Sequence, residues 1–178
     1  MKSLRTALLG AAVAACLLAG AAGAEEWRPF SGTWTLAGKR FSLPTEGPRR
    51  ASVIHASGSL VITKGETLGR GFYGEVVGFD DGETLLVGRA VFTDSIGQKI
   101  FATLKAQPLG GDRTATATIT GGTGRWSGLE GTFTFSWRFV VETGEEDFDA
   151  LAVNLEGRVR RASAPAPAQS PAPGEAPK

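Results

Sequence analysis

Apolar and polar residues alternate with a period of two in segment after segment of this chain, and glycine-rich stretches separate the segments. Alternation of this kind places successive side chains on opposite faces of a β-strand. Beyond the first 24 residues, no segment keeps the 3.6-residue apolar period of an amphipathic helix for three turns. The pattern therefore predicts strands, which we place at Phe30–Phe41, Ser52–Thr63, Gly71–Asp80, Thr84–Thr93, Lys99–Ala106, Arg113–Thr120, Gly131–Glu142 and Asp147–Arg160.

Two of these segments show what each face of the sheet meets. Between Gly131 and Glu142, four aromatic residues alternate with hydroxyl residues and an arginine, so one face is expected to meet a core and the other water or a cavity. Between Arg113 and Thr120, threonine alternates with the small residues Ala115 and Ala117 and with Ile119. Small residues on the inner face are typical of a sheet that curves and closes.

The segments between the strands are short and have turn chemistry, as in Asp80–Glu83, Asp94–Gly97, Gly110–Asp112 and Thr143–Glu146. Each can reverse the chain into an antiparallel neighbour. Closure of the sheet removes the exposed edges that an open sheet must protect. We therefore predict an all-β fold, an eight-stranded antiparallel up-and-down β-barrel, with a two-sheet β-sandwich as the alternative.

The amino-terminal segment predicts export. Lys2 and Arg5 precede an apolar run that ends in the small residues Ala22-Gly23-Ala24, which is typical of a signal peptide over residues 1–24. The protein is then periplasmic or secreted. Val13-Ala14-Ala15-Cys16 also resembles the lipobox of bacterial lipoproteins, and this alternative makes Cys16 a lipid-modified first residue.

The rest of the chain divides into a domain and a tail. Residues 162–178 are rich in proline and alanine without apolar periodicity, which predicts a disordered tail behind a β-barrel domain at residues 25–161. Without Lys2 and Arg5, the chain holds 17 basic and 18 acidic residues and no block of like charges. This balance disfavours nucleic-acid binding, and no membrane span is expected after the leader.

The run from Ile119 to Phe133 contains Gly121-Gly122-Thr123-Gly124, then Trp126, then Gly128 and Gly131. It resembles the signature of the allene oxide cyclase and dirigent barrel superfamily, of calycin type. Gly71–Glu75 and Gly88–Asp94 also look like uncharacterised exported bacterial relatives of that barrel. The resemblance implies an eight-stranded barrel with a partly apolar cavity, and it does not imply cyclase activity.

The same resemblance suggests how one barrel end is built. Gly121, Gly122 and Gly124 are expected to adopt positive φ in a compact corner, and Trp126 to fold back over the barrel end. A shorter stretch, Gly32-Thr33-Trp34, resembles the opening of lipocalins and avidins. The interpretation we favour for Trp34 is a side chain that plugs one end of a barrel.

The inventory of reactive residues is small. The chain has one histidine, one tyrosine and a single cysteine, Cys16, which lies in the leader. Thiolate catalysis and cysteine-ligated zinc are thereby excluded, and neither a Ser-His-Asp arrangement nor a phosphate loop is present. The sequence therefore predicts no catalytic residue, no metal site and no cofactor. His55, on the second strand, is more typical of a hydrogen-bonded structural residue than of a general base.

One pair of charges lies in an apolar context. Glu75 shares its predicted face with Tyr73, Val77 and Phe79, and Arg89 shares its own with Val87 and Val91. If the Asp81-Gly82 turn is tight, position 75 falls opposite 88 or 89, and the two charges become cross-strand partners. We expect both to point inward, as a structural pair at the barrel floor or, with Tyr73 and His55, as a ligand-binding site. The alternative is that one of the two charges lies on the outer face near solvent.

Three functions remain open at this point. The first is an exported, non-enzymatic barrel that binds a small apolar or amphipathic molecule. The second is a cyclase or isomerase that uses Glu75, Tyr73 and Arg89 in the barrel cavity. The third is a structural envelope module that interacts with other proteins. The sequence leaves the ligand and the oligomeric state undetermined.

Overall fold

The structure is a computed structural model that describes residues 26–82, 86–106, 114–143 and 146–162. It contains eight strands, one for each predicted segment, and a single 3-10 turn at Gly124–Trp126. The strands are β1 (Arg28–Pro44), β2 (Arg50–Lys64), β3 (Gly71–Asp80), β4 (Leu86–Thr93), β5 (Lys99–Ala106), β6 (Thr114–Gly122), β7 (Leu129–Thr143) and β8 (Asp147–Arg161).

The strands form a closed barrel in sequence order. Each strand pairs antiparallel with the next, and β8 pairs with β1, so no edge of the sheet is left open. This confirms the predicted eight-stranded up-and-down barrel. Bulges interrupt the register in β1 near Gly32 and between β7 and β8, where Asn154 takes a φ of 53°. Bulges of this kind increase the local bend that closure requires.

The alternation in β6 and β7 determines which face is inside. Ala115, Ala117 and Ile119 of β6 are buried, and the threonines between them are exposed. On β7, Phe133 and Phe135 are buried in the core. Small residues on one strand therefore face large aromatic residues on the next, as the two patterns predict.

The barrel has two distinct ends. At the Trp126 end, β2 finishes at Lys64, β6 finishes at Gly122 and β7 begins at Leu129. At the Pro44 end, β1 finishes at Pro44 and β3 finishes at Asp80. The buried apolar core lies between them.

Residues Glu26–Ala162 make up the compact unit that carries the barrel. The predicted signal peptide, the lipobox cysteine Cys16 and the proline-rich tail after Ala162 lie outside the described residues. Within the described ranges, no helix is long and apolar enough to cross a membrane.

Candidate functional site

Packed side chains close the Trp126 end. Trp126 is buried and its ring lies 5.5 Å from that of Phe72, centroid to centroid. Leu68 and Leu129 are buried in the same cluster. Trp126, Phe72, Leu68 and Leu129 thus form a buried apolar group at this end of the barrel.

Asp94 holds the Trp126 end together. Its Oδ2 accepts hydrogen bonds from Trp126 Nε1 at 2.9 Å and from Arg125 Nε at 2.9 Å, and Arg125 Nη2 lies 2.7 Å away. Its Oδ1 accepts from the backbone N–H groups of Ile96 and Gln98. Burial of the carboxyl raises its pKa, but these hydrogen bonds outweigh burial and hold the pKa below the usual 3.8.

The glycines of the corner at positions 121, 122 and 124 are required for two different reasons. Gly121 and Gly124 have φ of 145° and 55°, as expected for the corner. Gly122 does not have a positive φ, so that expectation is wrong for this residue. Glycine is needed there because a Cβ would lie 2.6 Å from Lys99 O and 2.7 Å from Trp126 Cβ.

Trp34 lies deep inside the barrel, between the Trp126 end and the Pro44 end. Its ring packs edge-on against Phe92 at 5.1 Å and Phe135 at 6.1 Å between centroids. The indole nitrogen lies against Gly74, and it is the one buried side-chain polar atom without a hydrogen-bond partner among the described residues. Trp34 forms the floor of the space described next, and it is not a plug at the barrel end.

A cavity of about 80 Å³ lies between Trp34 and the Pro44 end. The side chains around it are aliphatic or aromatic, and all eight strands contribute to it. The lining consists of Trp34, Leu36, Ile54, Ala56, Val76, Gly78, Leu86, Gly88, Leu104, Ala115, Phe135, Trp137, Phe139, Phe148 and Ala150. Trp34, Ala56 and Phe135 are buried, whereas Leu36, Ile54 and Phe139 are only half-buried. These half-buried lining residues lie on the Pro44 side of Trp34, where Phe148 of the same lining is buried.

Polar side chains follow the cavity on the inner face at the Pro44 end. Arg40 continues the inward row of Trp34 and Leu36 along β1, and its guanidinium carbon lies 5.2 Å from the centre of the Phe139 ring. One step further, the hydroxyls of Ser42 and Ser52 are 2.9 Å apart. The inner face thus changes from apolar to cationic and hydroxylic over two steps of one strand.

Asp80, at the same end, has a structural role. Its carboxylate is buried and accepts a hydrogen bond of 2.8 Å from the backbone N–H of Gly82. This is the bond of an Asx turn, which begins the reversal after β3.

The four residues predicted to bind a ligand do not line the cavity. Glu75, Arg89, Tyr73 and His55 are all exposed on the outer face of the barrel. The expectation that Glu75 and Arg89 point inward is wrong. Glu75 is opposite Val91, and Arg89 is opposite Val77, so the two charges are diagonal neighbours and not direct partners.

The register of β3 and β4 explains why Glu75 and Arg89 are not directly opposite each other. Asp80 pairs with Leu86, so five residues join β3 to β4, where a tight turn would have paired position 75 with 88 or 89. Glu75 points outward because the other face of β3, which carries Gly74 and Gly78, is the inner one. These two glycines leave room for the ring of Trp34 and for the cavity.

Neither Arg40 nor the cavity lining is among the site residues predicted from the sequence. Arg40 is six residues from Trp34, so an even spacing places both on one face of a strand. That spacing was the available signal. The lining was not accessible in the same way, because it combines residues from strands that are far apart in sequence.

No family model, curated protein or solved structure matches this chain. The described residues also contain no group of three or more His, Cys, Asp or Glu side chains placed to hold a metal ion. The candidate site consists of the cavity and of a rim at its Pro44 side, formed by Arg40, Ser42 and Ser52.

Proposed function

We propose that the protein is an exported, non-enzymatic barrel that binds a small apolar molecule, or the apolar end of an amphipathic one, in the cavity above Trp34. The observation that carries this proposal is an interior space lined wholly by apolar side chains in an otherwise packed core. Ligand sites of this kind are concave and mostly apolar, with a few polar groups that fix orientation. The leader sequence of residues 1–24 supports export.

The size of the cavity limits the ligand. A cavity needs a volume of about 10–15 Å³ to hold one water molecule, so a cavity of about 80 Å³ has room for about five to eight water-sized units. This is the size of one aromatic ring or a short alkyl chain. A larger molecule would place only its end inside and leave the remainder at the Pro44 end.

The rim favours an amphipathic orientation for such a larger molecule. Arg40 presents a cation beside Phe139, which itself lines the cavity. The hydroxyls of Ser42 and Ser52 lie one step further out. A ligand with an apolar end and a polar head would pack its apolar end against the cavity lining and place its polar head beside Arg40 and the two serine hydroxyls.

The cyclase or isomerase hypothesis loses its supporting residues. It required Glu75, Tyr73 and Arg89 to converge on the cavity, and all three are exposed on the outer face. A general acid or base must lie within hydrogen-bond reach of the reacting group, directly or through one water. The kinship with allene oxide cyclase and dirigent barrels remains a proposal, supported by the glycine corner beside Trp126.

Binding can be measured with probes of defined size. Trp34 and Trp137 both line the cavity, so their fluorescence reports on its contents. We expect benzene, hexanol and octanoate to shift this emission saturably, and native mass spectrometry to show one bound molecule of hexanol or octanoate. Ala115→Leu should abolish binding, because an isobutyl group replaces a methyl group that faces the cavity.

The matched control is Thr116→Leu. Thr116 is the next residue of β6 and is exposed on the outer face, so the same new side chain points away from the cavity. Binding should survive in this variant. If none of the probes binds the wild type, or if Ala115→Leu binds them as well as Thr116→Leu does, the proposal is wrong.

A further inference from the structure

The outer surface of the barrel differs strongly between its two sides. On β6 and the first half of β7 the outward residues are mainly threonines, such as Thr116, Thr118, Thr132 and Thr134, and Val140 and Val141 are exposed near the end of β7. On β2, β3 and β5 the outward residues include several large apolar side chains that are 37–54% exposed, namely Val53, Val61, Tyr73, Val77, Phe79 and Phe101. A contiguous apolar patch on a soluble protein usually marks an interaction surface.

Three parallel diagonal rows make up the centre of this patch. The central row is Val53, Val77 and Val91, one residue each from β2, β3 and β4. The row on one side is Phe79, Arg89 and Phe101. The row on the other side is His55, Glu75 and Thr93.

The two charges in these rows are not used within the barrel. Glu75 and Arg89 are both exposed, and the described residues provide no ion-pair partner for either. Each has one valine as a cross-strand neighbour: Glu75 lies between Val91 and Ser57, and Arg89 lies between Val77 and Thr103. The patch thus combines an apolar centre with one cation and one anion on opposite sides of it.

We propose that this patch binds a second copy of the chain, through a two-fold axis that runs in the interface along the central valine row. A two-fold axis brings the same surface of both subunits together, so the surface must be complementary to itself. Rotation about the valine row places the three valines against their own copies. It also places the arginine row of one protomer against the glutamate row of the other.

The resulting contacts are complementary in charge and in kind. Arg89 of one protomer faces the partner's Glu75, and the reverse contact occurs on the other side of the axis. Phe79 faces the partner's His55, and Phe101 faces the partner's Thr93. The diagonal offset of Glu75 and Arg89 within one barrel is what allows both ion pairs to form between two barrels.

Self-complementarity is the reason to favour a second copy over a lipid surface. A lipid phase would cover the valines, but it would leave Glu75 without a partner in an apolar medium, and an unpaired buried charge is costly. The nine residues of the three rows are fewer than the 20–30 a side of a standard interface, so we expect a dissociation constant in the micromolar range, about 1–100 μM.

The test uses the chain expressed from its full-length sequence and purified after processing. Sedimentation equilibrium should show the wild type in reversible monomer–dimer exchange. Arg89→Glu and Glu75→Arg should each raise the dissociation constant about tenfold or more, because either change places like charges opposite each other twice per dimer. Thr118→Glu, which adds one negative charge on the threonine side, should leave the constant unchanged.

A mixing experiment separates this arrangement from any other use of the patch. In an equimolar mixture of the Arg89→Glu and Glu75→Arg chains, both cross-axis pairs of a mixed dimer are again opposite in charge. The mixture should therefore form a heterodimer whose dissociation constant is about tenfold or more below that of either variant alone. The double variant with both changes should dimerise by itself. Circular dichroism and thermal unfolding check that each variant is folded.

Three results would overturn the proposal. The first is a wild type that remains monomeric up to about 1 mM, about ten times the upper end of the expected dissociation constant. The second is a dimer that both charge reversals leave intact, since it would use another surface. The third is a combined result: the two single variants do not associate on mixing, and the Val77→Asp variant dimerises with the same dissociation constant as the wild type. Binding of the wild-type monomer to anionic vesicles, lost in Val77→Asp, would assign the patch to a lipid surface.

Discussion

Gly74 has no side chain, and the ring of Trp34 occupies the space that a side chain there would fill. A Cβ at Gly74 would lie 2.8–2.9 Å from Nε1, Cε2 and Cζ2 of Trp34, a ring that is only 1% exposed. The ring cannot move away easily, because Phe92 and Phe135 hold it edge-on. We therefore expect Gly74→Ala to lower the free energy of unfolding by about 1–3 kcal/mol, measured by urea denaturation.

Gly78 provides the control on the same strand and the same inner face. A Cβ there meets only Val87 O, at 3.4 Å, and otherwise enters the cavity. Gly78→Ala should change the free energy of unfolding by less than about 1 kcal/mol, and it can raise it by restricting the unfolded chain. Equal losses in both variants would show that the Trp34 contact is not the reason for glycine at position 74.

The residue-scale expectations that failed have a common physical origin. Alternation divides β3 into one face with Tyr73, Glu75, Val77 and Phe79 and another with glycines at every second inner step, but it does not say which face is inside. The more apolar face is outside here. Closure of the barrel around Trp34 requires the small residues inside, and that requirement comes from β1, not from β3.

At the scale of elements, the strand positions could be predicted from the sequence because each turn between strands depends on residues that are adjacent in the chain. All eight strands occur where alternation predicts them, and β3 and β5 match to the residue. The pairing of β3 with β4 was less accessible. Its register depends on how many residues the reversal uses, and Asp80 begins that reversal earlier than the Asp81-Gly82 pair suggests.

The turn between β4 and β5 carries a prediction about pH. Asp94 joins this turn to the glycine corner, and its pKa in the folded state lies below the ordinary 3.8. A carboxyl with a lowered pKa stabilises the fold above the unfolded pKa, and this contribution is lost as the pH falls through the folded pKa. Wild-type unfolding midpoints should therefore fall as the pH drops from about 5 to about 3.

Asp94→Asn should remove part of that dependence. The amide keeps an acceptor oxygen but loses the charge that Arg125 contacts, so the variant should be less stable at neutral pH. Its midpoint should also change less between about pH 5 and pH 3. Asp149→Asn, at an exposed position on β8, serves as the control and should retain the wild-type slope. An unchanged slope in Asp94→Asn would contradict the role given to this carboxylate.

At the scale of the whole molecule, the fold class could be predicted and the cavity could not. Eight alternating segments joined by short reversals constrain the chain to a closed antiparallel sheet. The cavity depends instead on the sizes of side chains that all eight strands bring together, from Trp34 on β1 to Ala150 on β8. Periodicity identifies which residues share a strand face, but it carries no information on how side chains from distant strands fill the same volume.

Closure also predicts which truncations the barrel tolerates. β8 pairs with both β7 and β1, so a chain that ends at Glu146 would leave two open edges and expose the aromatic core. We expect such a chain to aggregate. A chain limited to Glu26–Ala162 keeps every described strand pair and should unfold in one cooperative transition. Its midpoint should lie within about 2 °C of that of a chain over residues 25–178, measured by circular dichroism. A much lower midpoint would show that the residues beyond Ala162 stabilise the barrel.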